Sequence, residues 1–115
     1  MKPWPLLIAS TLLAGAPPPP NAQTKEDVHC LLAAASLTES KDEKIKQVGA
    51  AGALYYLGRL DGRTPDLDIE AVVAAEADAV ARAEQGPLLK KCGDTLQRRG
   101  DYLVSAGKAL EKRGK

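Results

Sequence analysis

The sequence predicts an all-α fold, a small bundle of about four helices stapled by one disulfide. Three observations predict it. Apolar residues recur at three- and four-residue spacing, and no stretch alternates with period two between turn signals. Capping sequences and Gly/Pro breaks divide the chain into four runs of helical length. The two cysteines, Cys30 and Cys92, fall in the first and last of those runs.

The chain opens on a segment that reads as an export leader. Lys2 supplies a positive start, and Leu6–Ala16 is an apolar run of eleven residues. A membrane-crossing helix needs roughly 18 or more, and Pro17–Pro20 cannot prolong the run as a helix. Ala14-Gly15-Ala16 has the small-x-small form of a cleavage site. Pro17 would follow that cut, so a cut after Ala22 is preferred. The expected division is therefore residues 1–22 as a signal peptide and 23–115 as a single helical domain. That domain is expected to be periplasmic or secreted, without a stable membrane anchor after signal removal.

In an exported chain an even cysteine count indicates a disulfide. The chain has no phenylalanine, and many of its apolar residues are alanines. A small core of that kind commonly needs a covalent staple.

The first helix is expected to open at Thr24-Lys25-Glu26-Asp27, which has the capping-box form. Val28, Leu31, Leu32, Ala35 and Cys30, Ala34, Leu37 supply its apolar side. Ser40-Lys41-Asp42-Glu43 is a second box, opening a helix to about Leu60 that Asp61-Gly62-Arg63 stops. Thr64-Pro65 reads as a cap followed by a first-turn proline. It would begin a third helix carrying Leu67, Ile69, Val72, Val73 and Val80, ended by Gly86-Pro87. Short connections imply roughly antiparallel neighbours.

Residues 88–115 divide into four blocks of seven. Leucine stands second in each (Leu89, Leu96, Leu103, Leu110) and glycine sixth (Gly93, Gly100, Gly107, Gly114). With leucine at d, glycine falls at a, which is half the seam of a two-stranded coiled coil. Each interior glycine costs about 1 kcal/mol relative to alanine. Either another backbone approaches the glycine side, for which Gly49–Ala53 is the candidate, or the helix breaks after Gly100. Cys92 lies three residues after Leu89 and four before Leu96, on the leucine side, and Cys30 shares a side with Ala34 and Leu37. Both therefore point inward, as a disulfide between the first and fourth helices requires.

Charge and motifs exclude more than they propose. The formal net charge is +1, without the basic footprint of a nucleic-acid binder. The distribution is uneven: residues 61–84 hold seven acids and two bases, residues 88–115 eight bases and three acids. Such faces pair within a fold or between copies of it, or else form a basic surface for an anionic lipid or acidic partner. His29 is the single histidine, and no C-x-x-C pair accompanies it, so no metal site is expected. No motif marks a nucleophile, and no two acids are singled out for catalysis. No cofactor is expected, and the chain does not read as an enzyme. The most distinctive stretch is Tyr55-Tyr56-Leu57-Gly58-Arg59-Leu60-Asp61-Gly62. Its tyrosines suit a core poor in aromatics, and Tyr55, Tyr56, Arg59 and Asp61 also form a candidate partner-binding spot.

Cys30-Leu31-Leu32-Ala33, the Tyr55–Gly62 stretch and a late cysteine before a basic helix resemble small exported proteins of alphaproteobacteria. More distantly, the arrangement resembles the HdeA/HdeB acid-stress chaperones. That resemblance implies a periplasmic all-α domain with one disulfide near its first and last helices. It also implies a homodimer at neutral pH that opens in acid and shields unfolding client proteins with apolar surface. The expected function is a small non-enzymatic protein-binding protein of this HdeA-like kind. The alternative is an immunity or inhibitor protein acting on a periplasmic enzyme or toxin.

Overall fold

The computed structural model describes residues 21–114. The expected signal peptide, apart from its last two residues, lies outside the described residues. Among the described residues the fold is made of four helices: α1 (Ala22–Leu37), α2 (Glu43–Arg63), α3 (Ile69–Arg82) and α4 (Gln85–Arg113). No strand occurs among the described residues. Cys30 of α1 and Cys92 of α4 form a disulfide across a Cα–Cα distance of 5.5 Å, within the range such bridges require. The all-α bundle and its staple are as the sequence predicts.

The helix ends differ from expectation, each for a local reason. α1 is capped by Asn21, whose side-chain oxygen accepts the Thr24 N–H at 2.8 Å. Thr24 lies inside the first turn and is itself buried. At α2 the cap is Asp42, accepting from the N–H groups of Lys44 and Ile45. Ser40 accepts the Asp42 N–H instead. Asp61-Gly62-Arg63 does not stop α2, which continues to Arg63 and lets that arginine reach an acid on α1. Thr64-Pro65 does not open α3. Asp68 does, accepting from the Ala71 N–H at 3.1 Å.

Gly86-Pro87 lies inside the first turn of α4 rather than after α3. Proline is tolerated there because first-turn N–H groups have no partner within the helix. The Gln85 amide closes the junction by donating to the Val80 and Ala83 carbonyls of the preceding segment.

α1 is the central element and packs against each of the other three helices. α1 and α2 are antiparallel. Asp27 near the start of α1 meets Arg59 and Arg63 near the end of α2, while Ala34 and Leu37 meet Gly49 near its start. The buried apolar set is small: Val28, Cys30, Ala33, Ala34, Tyr56, Leu60, Val80 and Cys92. Leu31, Tyr55, Leu88 and Leu96 pack around the disulfide and Tyr56.

Close backbone approach occurs at α2, not along the glycines of α4. A Cβ at Gly49 would lie 2.7 Å from the Ala34 carbonyl oxygen and from Leu37 Cβ. One at Gly52 would lie 3.1 Å from Leu96. Gly93, Gly100 and Gly107 have nothing within 4 Å of the same position, yet α4 continues through all three to Arg113. The expected pairing of these glycines with Gly49–Ala53 is not formed, and neither is the break after Gly100.

Candidate protein-binding surface

The Tyr55–Asp61 stretch is divided between core and surface by helical geometry. Tyr56 is buried and donates its hydroxyl to the Cys92 carbonyl at 2.7 Å, tying α2 to α4 beside the disulfide. Burial raises its phenol above the ordinary value. A raised value contributes stability that is present below the ordinary tyrosine value, about 10, and lost as pH climbs through the raised one. Wild type should therefore lose stability more steeply than Tyr56→Phe above about pH 10, measured as urea midpoints along an alkaline series.

Tyr55 and Arg59 are half-buried, and Asp61 is exposed. Arg59 donates to the Tyr55 hydroxyl at 3.1 Å and stands 5.7 Å from that ring's centroid. The Tyr55 hydrogen bond and the neighbouring Asp27 carboxylate raise the arginine further above its ordinary value. Arg59 turns to Asp27 rather than to Asp61: its Nε lies 3.3 Å from the Asp27 carboxylate, and Arg63 approaches the same group at 2.6 Å.

Asp27 is buried, so two arginines one helical turn apart on α2 clamp one acid on α1. Removing one partner of a buried pair is strongly destabilising, but these arginines keep about 30 % exposure and can turn to water. Asp27→Ala is therefore expected to cost about 2 kcal/mol, below the full buried-pair figure, measured by chemical denaturation. Nothing in the sequence links Asp27 to arginines more than 30 positions away. Its one signal is an acid on the apolar side of α1.

His29 joins α1 to α3, with its Nε2 2.7 Å from Glu76 Oε1. Lys91 of α4 hydrogen-bonds Glu26 of α1, and this contact holds the Glu26 carboxyl below its ordinary value. An open cleft of about 550 Å³ lies beside that pair, lined by Arg59, Lys90, Lys91, Asp94 and Arg98 among others. Lys90 is paired with Asp94 at 2.9 Å, so much of the cleft's basic charge is answered within the chain. Among the described residues no three His, Cys, Asp or Glu side chains gather as a metal site would need. No described helix is long and apolar enough to cross a membrane.

The main exposed apolar feature is the continuation of the leucine stripe. Leu89 and Leu96 are partly buried against the core, whereas every residue from 97 to 114 is exposed. Leu103 is 71 % and Leu110 66 % exposed, on the same side of the same helix. Tyr102 and Val104 flank them, and Arg99 lies 4.9 Å over the Tyr102 ring. Beside the buried half of the stripe runs an apolar groove of about 130 Å³, lined by Ala34, Leu37, Val48, Leu89, Gly93 and Leu96 with Tyr56 and Cys92. Val48 and Ile45 extend it as exposed side chains. The sequence repeat contains this stripe in full, but its spacing does not say where the core ends.

Comparison of the chain with protein-family models, with curated proteins and with solved structures returns no match.

Proposed function

We propose that this is a small non-enzymatic, protein-binding protein of the periplasm or extracellular space, and that the exposed leucine stripe of α4 is its binding surface. The observation that carries the reading is the unpacked second half of α4. Leu103 and Leu110 prolong the ridge by which the same helix grips its own core, and contiguous exposed apolar surface marks interaction sites. The disulfide supports an oxidising compartment.

Within this reading an HdeA-like role in acid stress is favoured over an immunity or inhibitor role. Acid acts on the Lys91–Glu26 contact that joins α4 to α1. The lowered Glu26 carboxyl stabilises the fold at neutral pH, and this contribution is lost as pH falls through its lowered value. Protonating the 15 carboxylates leaves the 15 Lys and Arg side chains of residues 23–115 to repel one another and loosen the bundle.

Capture from periplasmic extract at pH 7 and again at pH 3 tests the proposal. Broad capture of unrelated proteins at pH 3 supports the acid-stress role. One stoichiometric partner at pH 7 replaces it with the inhibitor role. No capture at either pH removes both.

A further inference from the structure

We infer that the partner of the exposed α4 stripe is an acidic amphipathic helix of another protein, one that sets carboxylates beside an apolar ridge. This rests on the stripe being a protein-binding surface, as proposed above, and names the chemistry of what binds there.

The charge of α4 is answered in its first half and open in its second. Lys90 pairs with Asp94 and Lys91 with Glu26. Residues 97–113 carry five bases, Arg98, Arg99, Lys108, Lys112 and Arg113, against two acids, Asp101 and Glu111. None of those five bases forms an ion pair among the described residues.

Two of the five stand at the edge of the leucine stripe. Arg99 lies three residues after Leu96 and four before Leu103, and Arg113 lies three after Leu110. Cys92 has the same place between Leu89 and Leu96, and there it is buried. The second half of α4 thus repeats the leucines of the core half but puts arginine where the core half has its buried sulfur. A wholly apolar partner would leave these guanidinium groups desolvated and unpaired, which is costly. A partner with carboxylates at that edge satisfies them.

The surroundings of Arg99 suit that role. Its guanidinium stands 4.9 Å from the Tyr102 ring centroid. A guanidinium resting on an aromatic face keeps its edge N–H groups for a carboxylate. Tyrosine and arginine are also enriched among the side chains that dominate protein interfaces.

The opposite edge supplies room. Gly100 and Gly107, three residues before and four after Leu103, have nothing within 4 Å of a Cβ position. Apolar side chains of a helix laid along α4 can settle there while its acids reach the arginine edge. Arg99 and Arg113 lie about 21 Å apart along the axis, so the fitting helix carries its acids at heptad spacing.

An anionic membrane offers the same charge but a poorer fit. Leu103 and Leu110 are the only leucines of residues 97–113, and Glu111 stands next to the second, where it would meet the headgroups.

Fluorescence anisotropy with the full folded chain at neutral pH and two labelled three-heptad helical peptides tests the inference. Both peptides have one leucine ridge and the same composition. One sets its glutamates beside the ridge, the other on the far face. Wild type should bind the first at least about tenfold tighter, the worth of one hydrogen bond to a charged group. Arg99→Gln with Arg113→Gln should bring the two affinities together while circular dichroism and the Cys30–Cys92 bond stay intact. Arg99→Lys with Arg113→Lys should restore part of the difference, and added salt should reduce it.

Equal binding of the two peptides by wild type, or a preference that survives the paired glutamine change, overturns the acidic partner. If Leu103→Lys weakens peptide binding in that case, the stripe stands as a binding surface of other specificity. Peptide binding that Leu103→Lys leaves unchanged removes the surface itself. Binding of neither peptide also overturns the inference. Flotation with phosphatidylglycerol vesicles would then assign the stripe to lipid, and a dimer in sedimentation would assign it to a second copy.

Discussion

Replacing Cys30 and Cys92 together by alanine should lower the unfolding free energy by about 4 kcal/mol, the chain-entropy contribution of a loop of this length. The bridge spans 62 residues of sequence. It also stands in the middle of the core cluster, with Tyr56, Leu31, Leu88 and Leu96 around it. The remaining attachments of α4 are few: the Tyr56 hydroxyl on the Cys92 carbonyl, Leu96 over Gly52, the exposed Lys91–Glu26 pair, and the Gln85 amide on the Val80 and Ala83 carbonyls. Natural domains with native stabilities of about 5–15 kcal/mol lose much of their margin to such a change. Urea titration followed by far-ultraviolet circular dichroism measures it. A loss below about 1 kcal/mol, the size of an ordinary hydrogen bond, would show that helix packing holds α4 without the staple.

The second large effect is a pair of identical substitutions with opposite signs. Gly58→Ala should stabilise α2 by about 1 kcal/mol, since alanine is the better helix former and nothing lies within 4 Å of the new Cβ. Gly49→Ala, nine residues earlier in the same helix, should destabilise by about 2 kcal/mol once overpacking outweighs the propensity gain. The new methyl would meet the Ala34 carbonyl oxygen and Leu37 Cβ, both at 2.7 Å. One is backbone and the other the root of its side chain, so neither can swing aside. Relief would require α1 and α2 to separate, pulling at the Asp27 clamp at the other end of their contact. Thermal and urea midpoints of the two variants decide the matter. Equal signs would show that the helices yield more readily than their packing implies.

Much of this fold was legible in the residues. Four helices and the Cys30–Cys92 bond follow from periodicity, turn residues and the inward position of both cysteines. The first three helix starts were harder because each holds more than one competent cap: Asn21 or Thr24, Ser40 or Asp42, Thr64 or Asp68. Tertiary demands chose among them. Thr24 is needed in the interior, and Arg63 must remain helical to reach Asp27. The α4 glycines suggested a tight neighbour, but the tight approach sits at Gly49 and Gly52, within the unbroken run of small residues Gly49–Ala53, and is made mainly to α1. The Tyr55–Asp61 stretch stood out as a unit in sequence. A helix turns successive residues through 100°, so its members face different surroundings: Tyr56 the core, Arg59 the acid on α1, Asp61 water.

The disulfide at Cys92 also determines how α4 behaves toward solvent exchange. The residues around Cys92 through Leu96 pack into the core, and their helical amide hydrogens are expected to exchange with its cooperative opening. The residues beyond it share the same unbroken helix but open by local fraying in an isolated molecule. One geometric element therefore contains two dynamic ones, and the boundary falls within a repeat that runs through it unchanged. Amide exchange in the second half becomes a gauge of occupancy. Its protection follows how often something lies on Leu103 and Leu110, while protection in the first half reports the fold alone.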